Sequence, residues 1–295
     1  MAQIGFIGLG RMGHGMAGRY LDNGFTVAVW NRSKAKAEDL IARGARWAHS
    51  PSDAADGAEA IVSMVADDEA SRTVWLGKQG AATTAKPGTL AIECSTVSYR
   101  YALDLARDLR GRGLTYIDSP VTGLPDAAAS GKLTLLVGAE PADLERARPY
   151  LAPLSSTIRH FGQVGAGTVY KLINNLMGAI QIAGIAEGLA IAEQAGLDMK
   201  LVLEAVETGV AASPQVIRHS RRMVERNFAG ATFTASLRQK DAAYAVALAE
   251  SLLRDAPIMG RAAVAAYDRA KANAPDDDEG KMIEIVSRPR DDKAR

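Results

Sequence analysis

Apolar and polar positions along the first half of the chain follow two alternating rhythms. Short apolar runs, Ile4-Gly5-Phe6-Ile7, Phe25-Thr26-Val27-Ala28-Val29-Trp30, Ala60-Ile61-Val62-Ser63-Met64, Thr89-Leu90-Ala91-Ile92-Glu93 and Thr115-Tyr116-Ile117-Asp118, are separated by amphipathic stretches of helical length. Near-continuous apolar runs suit strands covered on both faces, so the pattern predicts βαβ units around a parallel sheet. The run Leu133-Thr134-Leu135-Leu136-Val137 and a weaker one at 157–160 are candidates to extend that sheet, in an orientation the pattern leaves open. Beyond Gly162 the strand-like runs stop, and Ala, Leu, Glu and Arg dominate as far as Ala211-Ala212-Ser213-Pro214. The expected organisation is an α/β domain over 1–162 and an all-α domain over 163–295. The stretch 167–194 has no proline and predicts one helix, about 42 Å long at 1.5 Å per residue, bridging the two domains. Gly178, Gly184 and Gly188 each weaken such a helix by about 1 kcal/mol relative to alanine. That cost makes sense where another helix packs on the flat surface, from the same chain or from a second copy, and a homodimer or homotetramer is expected. The charged, proline-containing tail 287–295 reads as frayed.

Composition narrows the partners. A chain of 295 residues accommodates two ordinary domains, and 35 Lys+Arg against 34 Asp+Glu leaves a formal charge of +1. No basic face for nucleic acid or an anionic membrane is expected from that balance. Cys94 is the only cysteine, which excludes an intrachain disulfide and a cysteine metal cluster and fits a reducing, cytoplasmic setting. It follows a strand-like run and reads as a small buried hydrophobe. His14, His49, His160 and His219 share no ligand spacing, so no metal site is expected. The first residues lack a cationic stretch ahead of their apolar run and do not resemble a signal peptide. The low-polarity stretch 176–186 is interrupted by Gln181 and is shorter than the roughly 20 residues that cross a bilayer, so a soluble protein is expected. The charged stretches 218–222 and 276–279 read as solvated surface.

Candidate chemistry begins at Gly8-Leu9-Gly10-Arg11-Met12-Gly13, a G-x-G-x-x-G between the first strand-like run and a helical stretch over 12–23. Its first glycine permits a tight turn, its second lets backbone approach a pyrophosphate, and its third allows close helix–sheet packing, with the helix N-terminus facing the anion. This is the dinucleotide-binding fingerprint of a Rossmann-type domain. At the end of the second strand, where NAD enzymes place a carboxylate for the ribose, stand Asn31-Arg32-Ser33. Asn31 and Ser33 can donate to a 2′-phosphate and Arg32 can pair with it or stack on adenine, so NADP is favoured, with NAD as the alternative. Farther on, Lys171 and Asn175 are four apart and share one helical face. An ammonium beside an apolar stretch can serve as a general acid toward a carbonyl, although spacing alone also fits a solvated surface lysine.

The fingerprint with its flanks (5–17), Glu93-Cys94-Ser95-Thr96, Asp118-Ser119-Pro120-Val121-Thr122-Gly123, the stretch 165–175 and Phe233-x-x-x-Leu237-x-x-Lys240-Asp241 together resemble the ordered motif set of the β-hydroxyacid dehydrogenases. The resemblance covers nearly the whole chain. It implies a nicotinamide-binding domain, a long interdomain helix, a helical second domain and an active site in the cleft between them. By the same resemblance Lys171 is the catalytic acid/base and Asn175 helps hold the substrate. Met64 and Val65 run beside the cofactor by their backbone, Thr96 lies near the nicotinamide ribose, and Lys240 lies near cofactor and substrate. The 119–123 loop receives a substrate carboxylate through Ser119, Thr122 and Gly123, and hydroxyls with exposed N–H groups are what a small anion needs. Where the family continues with a second glycine this chain has Leu124-Pro125, so a different loop backbone or pocket volume is expected. The implied reaction is NAD(P)-dependent interconversion of a small 3-hydroxy acid and its semialdehyde, or reduction of a small aldehyde or keto acid. Imine reductases share the architecture but generally carry Asp or Tyr at the position of Lys171. An inactive dehydrogenase-like scaffold is opposed by the presence of Lys171, Asn175 and Lys240 together.

Overall fold

The computed structural model describes residues 2–230 and 233–287. Strands β1 (Gln3–Ile7), β2 (Thr26–Trp30), β3 (Arg46–Trp47), β4 (Ala60–Ser63), β5 (Leu90–Glu93), β6 (Thr115–Asp118), β7 (Val121–Thr122), β8 (Leu133–Gly138) and β9 (Ser155–Gly162) form one sheet. Their order is β3-β2-β1-β4-β5-β6-β8-β7, with β9 also paired to β8. From β3 to β6 every pairing is parallel, as the run pattern predicts. The two later runs reverse direction: β8 is antiparallel to β6 and β7, and β9 lies parallel to β8. Helices α1 (Gly13–Asp22), α2 (Glu38–Ala42), α3 (Pro51–Ala55), α4 (Asp68–Leu76), α5 (Tyr99–Arg110), α6 (Pro125–Ala129) and α7 (Pro141–Leu151) connect these strands.

Both sheet faces are buried because the strands alternate apolar with apolar. Ile4, Phe6, Val62 and Ile92 join a core with Met16, Ala17 and Tyr20 of α1. Ile7, Ile61, Ala91 and Tyr116 join the opposite core with Tyr101, Leu105 and Leu109 of α5. Each fully buried side chain of this size contributes about 1.5–3 kcal/mol.

The chain separates into two compact units, one ending at Lys171 and the next beginning at Leu172. The division falls inside helix α8 (Ala166–Gln194), which starts one residue before the expected 167. The second unit adds α9 (Met199–Thr208), α10 (Pro214–Val224), α11 (Ala235–Leu252), α12 (Ile258–Asn273) and α13 (Met282–Val286). Ala179, Ile182, Ala186 and Leu189 of α8, at helical spacing, pack with Met223, Ala242, Tyr267 and Ile283. By length and composition α8 is apolar enough to cross a membrane, with a mean hydropathy of 1.4 over its most apolar 18 residues. Part of that apolarity is spent on the second unit's core.

The charged stretches 218–222 and 276–279 are only in part the expected solvated surface, with Arg221 and Asp276 exposed. His219, Ser220, Asp278 and Glu279 are buried. Arg238 Nε lies 2.5 Å from Glu279 Oε2, Arg222 lies 3.0 Å from Asp278, and His219 Nε2 lies 3.4 Å from Glu279 Oε1. Pairing makes burial of these charges tolerable, and the partner Arg238 stands far away in sequence. Burial alone would raise the Glu279 carboxyl, but Arg238 and hydrogen bonds from His219 and Arg238 pull it down to about 2. Residues 288–295 of the tail expected to fray lie outside the described residues.

Candidate active site

Strands β2, β1, β4, β5 and β6 are consecutive neighbours in the sheet and run parallel, so their C-terminal ends share one edge. The segments expected to hold cofactor and substrate carboxylate leave these ends: 8–13 after β1, 31–33 after β2, 64–65 after β4, 95–96 after β5 and 119–123 after β6. Ligands of open α/β sheets bind at this edge.

The glycine loop meets the demands of a dinucleotide. Gly8 has φ +98°, and a Cβ there would lie 2.3 Å from Met64 O. A Cβ at Gly13 would lie 1.9 Å from Gly8 O, so α1 is pressed onto the turn as only glycine allows. Around Gly10 no heavy atom stands within 4 Å of an added Cβ, which leaves open space on the loop where backbone can approach a phosphate. Helix α1 begins without a side-chain cap and without an acidic residue in its first turn, so its N-terminal N–H groups and positive dipole end suit an anion. Leu9 N–H donates to Asn31 Oδ1 at 3.0 Å, and Asn31 Nδ2 donates to Ser33 O at 3.1 Å. Asn31 therefore braces the glycine loop against the turn after β2, while Arg32 and Ser33 are exposed there and Arg11 is exposed on the loop itself.

A second brace lies deeper. Glu93 is buried and accepts from Ser71 Oγ at 2.5 Å, Trp75 Nε1 at 3.0 Å and Ser95 N–H at 2.9 Å. Ser95 Oγ accepts from Val65 N–H at 2.8 Å, and Met64 N–H donates to Ile7 O at 2.9 Å. The Met64-Val65 backbone and the segment carrying Thr96 are thus held to each other. Cys94, between them, is buried as expected, and burial pushes its thiol up, away from reactivity.

On the 119–123 loop, Gly123 takes φ +134°, and a Cβ there would lie 2.8 Å from Leu133 Cδ2. Leu124 takes φ −103° and ψ 171°, the extended conformation that suits a residue before proline, and Pro125 opens α6. The departure from a second glycine is accommodated without left-handed strain, and Leu124 is exposed. Ser119 is buried and Thr122 half-buried. Lys171 Nζ donates to Val121 O at 2.8 Å, which brings the lysine onto this loop. Asp118, immediately before it, accepts from Gly165 N–H, Thr168 N–H and Thr168 Oγ1 at 3.0, 2.9 and 2.6 Å. Burial pushes its carboxyl up to about 6, against the pull of those donors.

In the second unit Asn175 is buried, and its Nδ2 donates to Asp241 Oδ2 at 2.6 Å. Lys240 Nζ lies 2.9 Å from Asp241 Oδ1, so one buried carboxylate joins two expected site residues. Arg238 Nη1 donates to Asn175 O at 3.1 Å, tying the Glu279 ion pair to the same turn of α8. Asp118, Glu93, Arg238 and Asp241 carry no role in the sequence reading. Glu93, Asp118 and Asp241 stand within the motifs, and a carboxylate ending an apolar strand run is the signal that marks Glu93 and Asp118.

Residues 3–162 match the NAD binding domain of 6-phosphogluconate dehydrogenase. Residues 165–286 match the NAD-binding domain of NADP-dependent 3-hydroxyisobutyrate dehydrogenase. The chain belongs to the β-hydroxyacid dehydrogenase family. It is 34% identical over 276 residues to an NAD-dependent L-serine dehydrogenase of Pseudomonas aeruginosa, covering 90% of this chain and 91% of that one. It is 31% identical over 284 residues to the chloroplastic glyoxylate/succinic semialdehyde reductase 2 of Arabidopsis thaliana, covering 96% of this chain and 79% of the relative. A solved structure of Mycobacterium tuberculosis 3-hydroxyisobutyrate dehydrogenase with L-serine superposes with a TM-score of 0.86 at 27% identity, covering 97% of this chain and 99% of that one. As a member of the β-hydroxyacid dehydrogenase family this chain is an NAD(P)-dependent oxidoreductase, with a Rossmann-type first domain and a helical second domain.

Proposed function

We propose that this dehydrogenase interconverts a small 3-hydroxy acid and its semialdehyde, or reduces a small carboxylate-bearing aldehyde or keto acid, with Lys171 as general acid and base. The reading rests on the 2.8 Å bond from Lys171 Nζ to Val121 O, which sets an ammonium on the 119–123 loop. NADPH, or NADH, when bound supplies the hydride to the carbonyl carbon. In reduction Lys171 Nζ gives a proton to the carbonyl oxygen as negative charge develops there, and in oxidation the neutral amine takes the proton from the hydroxyl. Ser119 and Thr122 hydroxyls and Gly123 N–H hold the carboxylate, so that carbon and oxygen meet their two donors in a fixed orientation. Within the second unit, Asp241 orients Asn175 and holds Lys240. Arg32 and Ser33 support NADP, since exposed donors rather than a carboxylate follow β2.

Spectrophotometric assay tests the reading. Glyoxylate, succinic, tartronate and methylmalonate semialdehydes are reduced with NADPH and with NADH, and L-serine and 3-hydroxyisobutyrate are oxidised. At least one carboxylate substrate is expected to exceed its methyl ester by about 100-fold in kcat/KM, the scale of a lost charged anchor. Equal turnover of acid and ester, or turnover confined to cyclic imines, would contradict it.

A further inference from the structure

We propose that Asp118 is a positioning residue for the reaction, joining the first turn of the helix that carries Lys171 to the strand end that carries the 119–123 loop. The inference rests on the reading of Lys171 and of that loop given above. Strand β6 ends at Asp118, and Ser119 opens the loop. The Asp118 side chain is fully buried. Its Oδ2 accepts the Gly165 and Thr168 N–H groups at 3.0 and 2.9 Å, and its Oδ1 accepts the Thr168 hydroxyl at 2.6 Å. The first N–H groups of a helix have no partner within the helix, and a carboxylate is the strongest acceptor for them.

Lys171 stands three residues beyond Thr168, about one helical turn, and its Nζ returns to Val121 O at 2.8 Å. Asp118, the start of α8, Lys171, Val121, Pro120 and Ser119 therefore close a ring. A Cβ at Gly167 would lie 2.0 Å from Leu136 O, so the same turn of α8 also packs closely against β8. Within this ring the buried Asp118 carboxylate ties the first turn of α8, and with it the lysine, to the end of β6. Releasing it frees the first turn of α8 to shift, and a displacement of about 1 Å at a reacting group costs about 100-fold in rate.

A cycle of Asp118→Ala, Lys171→Ala and the double variant tests this, read as single-turnover cofactor oxidation with the preferred substrate. Asp118→Ala is expected to lower kcat by about 10- to 100-fold with NADPH affinity unchanged. In the Lys171→Ala background it is expected to add nothing, because the group it positions is gone. Asp118→Asn restores turnover, since its carboxamide oxygen can accept both N–H groups while its NH2 donates to the Thr168 hydroxyl. A folded Asp118→Ala with wild-type kcat overturns the inference, as does a loss of equal size in both backgrounds or an Asp118→Asn no better than alanine. If Asp118→Ala does not fold, Thr168→Val removes the hydroxyl bond alone. It is expected to lower kcat severalfold only where Lys171 is present, and an unchanged kcat overturns the inference. Lys171→Ala settles the underlying reading separately: lost turnover there with no effect at Asp118 leaves the lysine's role standing and removes only this proposal.

Discussion

Gly10 and Gly13 lie three residues apart and answer to different forces. A methyl at Gly13 collides with Gly8 O at 1.9 Å, whereas one at Gly10 meets no atom within 4 Å. Gly13→Ala should therefore destabilise the first domain by about 1–3 kcal/mol, the usual cost of overpacking. Gly10→Ala should leave urea stability unchanged and weaken NADPH binding by about tenfold or more, because the methyl occupies space that the pyrophosphate needs. Urea titration and cofactor fluorescence separate the two effects, and equal stability losses would contradict the assignment. The fingerprint was legible in the sequence because only glycine meets such constraints. The role of Asp118 was not, since its partners Gly165 and Thr168 lie 47 and 50 residues away and nothing local announces them.

Elements follow the same division between what is local and what is remote. Strands β1, β2, β4, β5 and β6 could be read from their runs, because burial on both sheet faces is written in every residue, and helix α8 from a stretch without proline; the two-residue β3 carries no such run. The reversal of β8 could not, since a run such as Leu133–Gly138 packs equally well in either direction. The stretches 218–222 and 276–279 misled for a related reason: a run of charges reads as solvated until its counter-charge is known, and here Asp278 pairs with Arg222 while Arg238 of α11 pairs with Glu279. Breaking this pair tests the correction. Glu279→Gln leaves Arg238 buried without its anion and should cost about 3–5 kcal/mol, a fall in Tm of about 10 °C. The Glu279 carboxyl is held at about 2 in the folded chain and titrates near about 4.3 when unfolded. A depressed carboxylate contributes its stability above the unfolded value and loses it as pH falls through the folded one. The wild-type advantage over Glu279→Gln should thus be complete above about pH 4.3 and fade toward pH 2. An advantage constant across that range would contradict the buried ion pair.

At the scale of the whole molecule, Ile173, Met177, Gly184, Gly188 and Ile191 lie on one face of α8, and all five are exposed. We expect this face to be covered by a second copy, giving a dimer or tetramer by light scattering that Gly188→Glu converts to monomer. A wild-type monomer at micromolar concentration would remove that expectation. The near-neutral charge of +1 offers no general attraction for the anionic substrate proposed above, so that proposal needs local groups such as Lys171, which bonds to the 119–123 loop. The most direct test of the account is therefore kcat/KM of Lys171→Ala on the preferred carboxylate substrate, with NADPH affinity measured on the same preparation. If Lys171 is the placed general acid, kcat/KM falls by about 100-fold or more, with NADPH affinity within about twofold of wild type. Turnover that survives the substitution intact would contradict it.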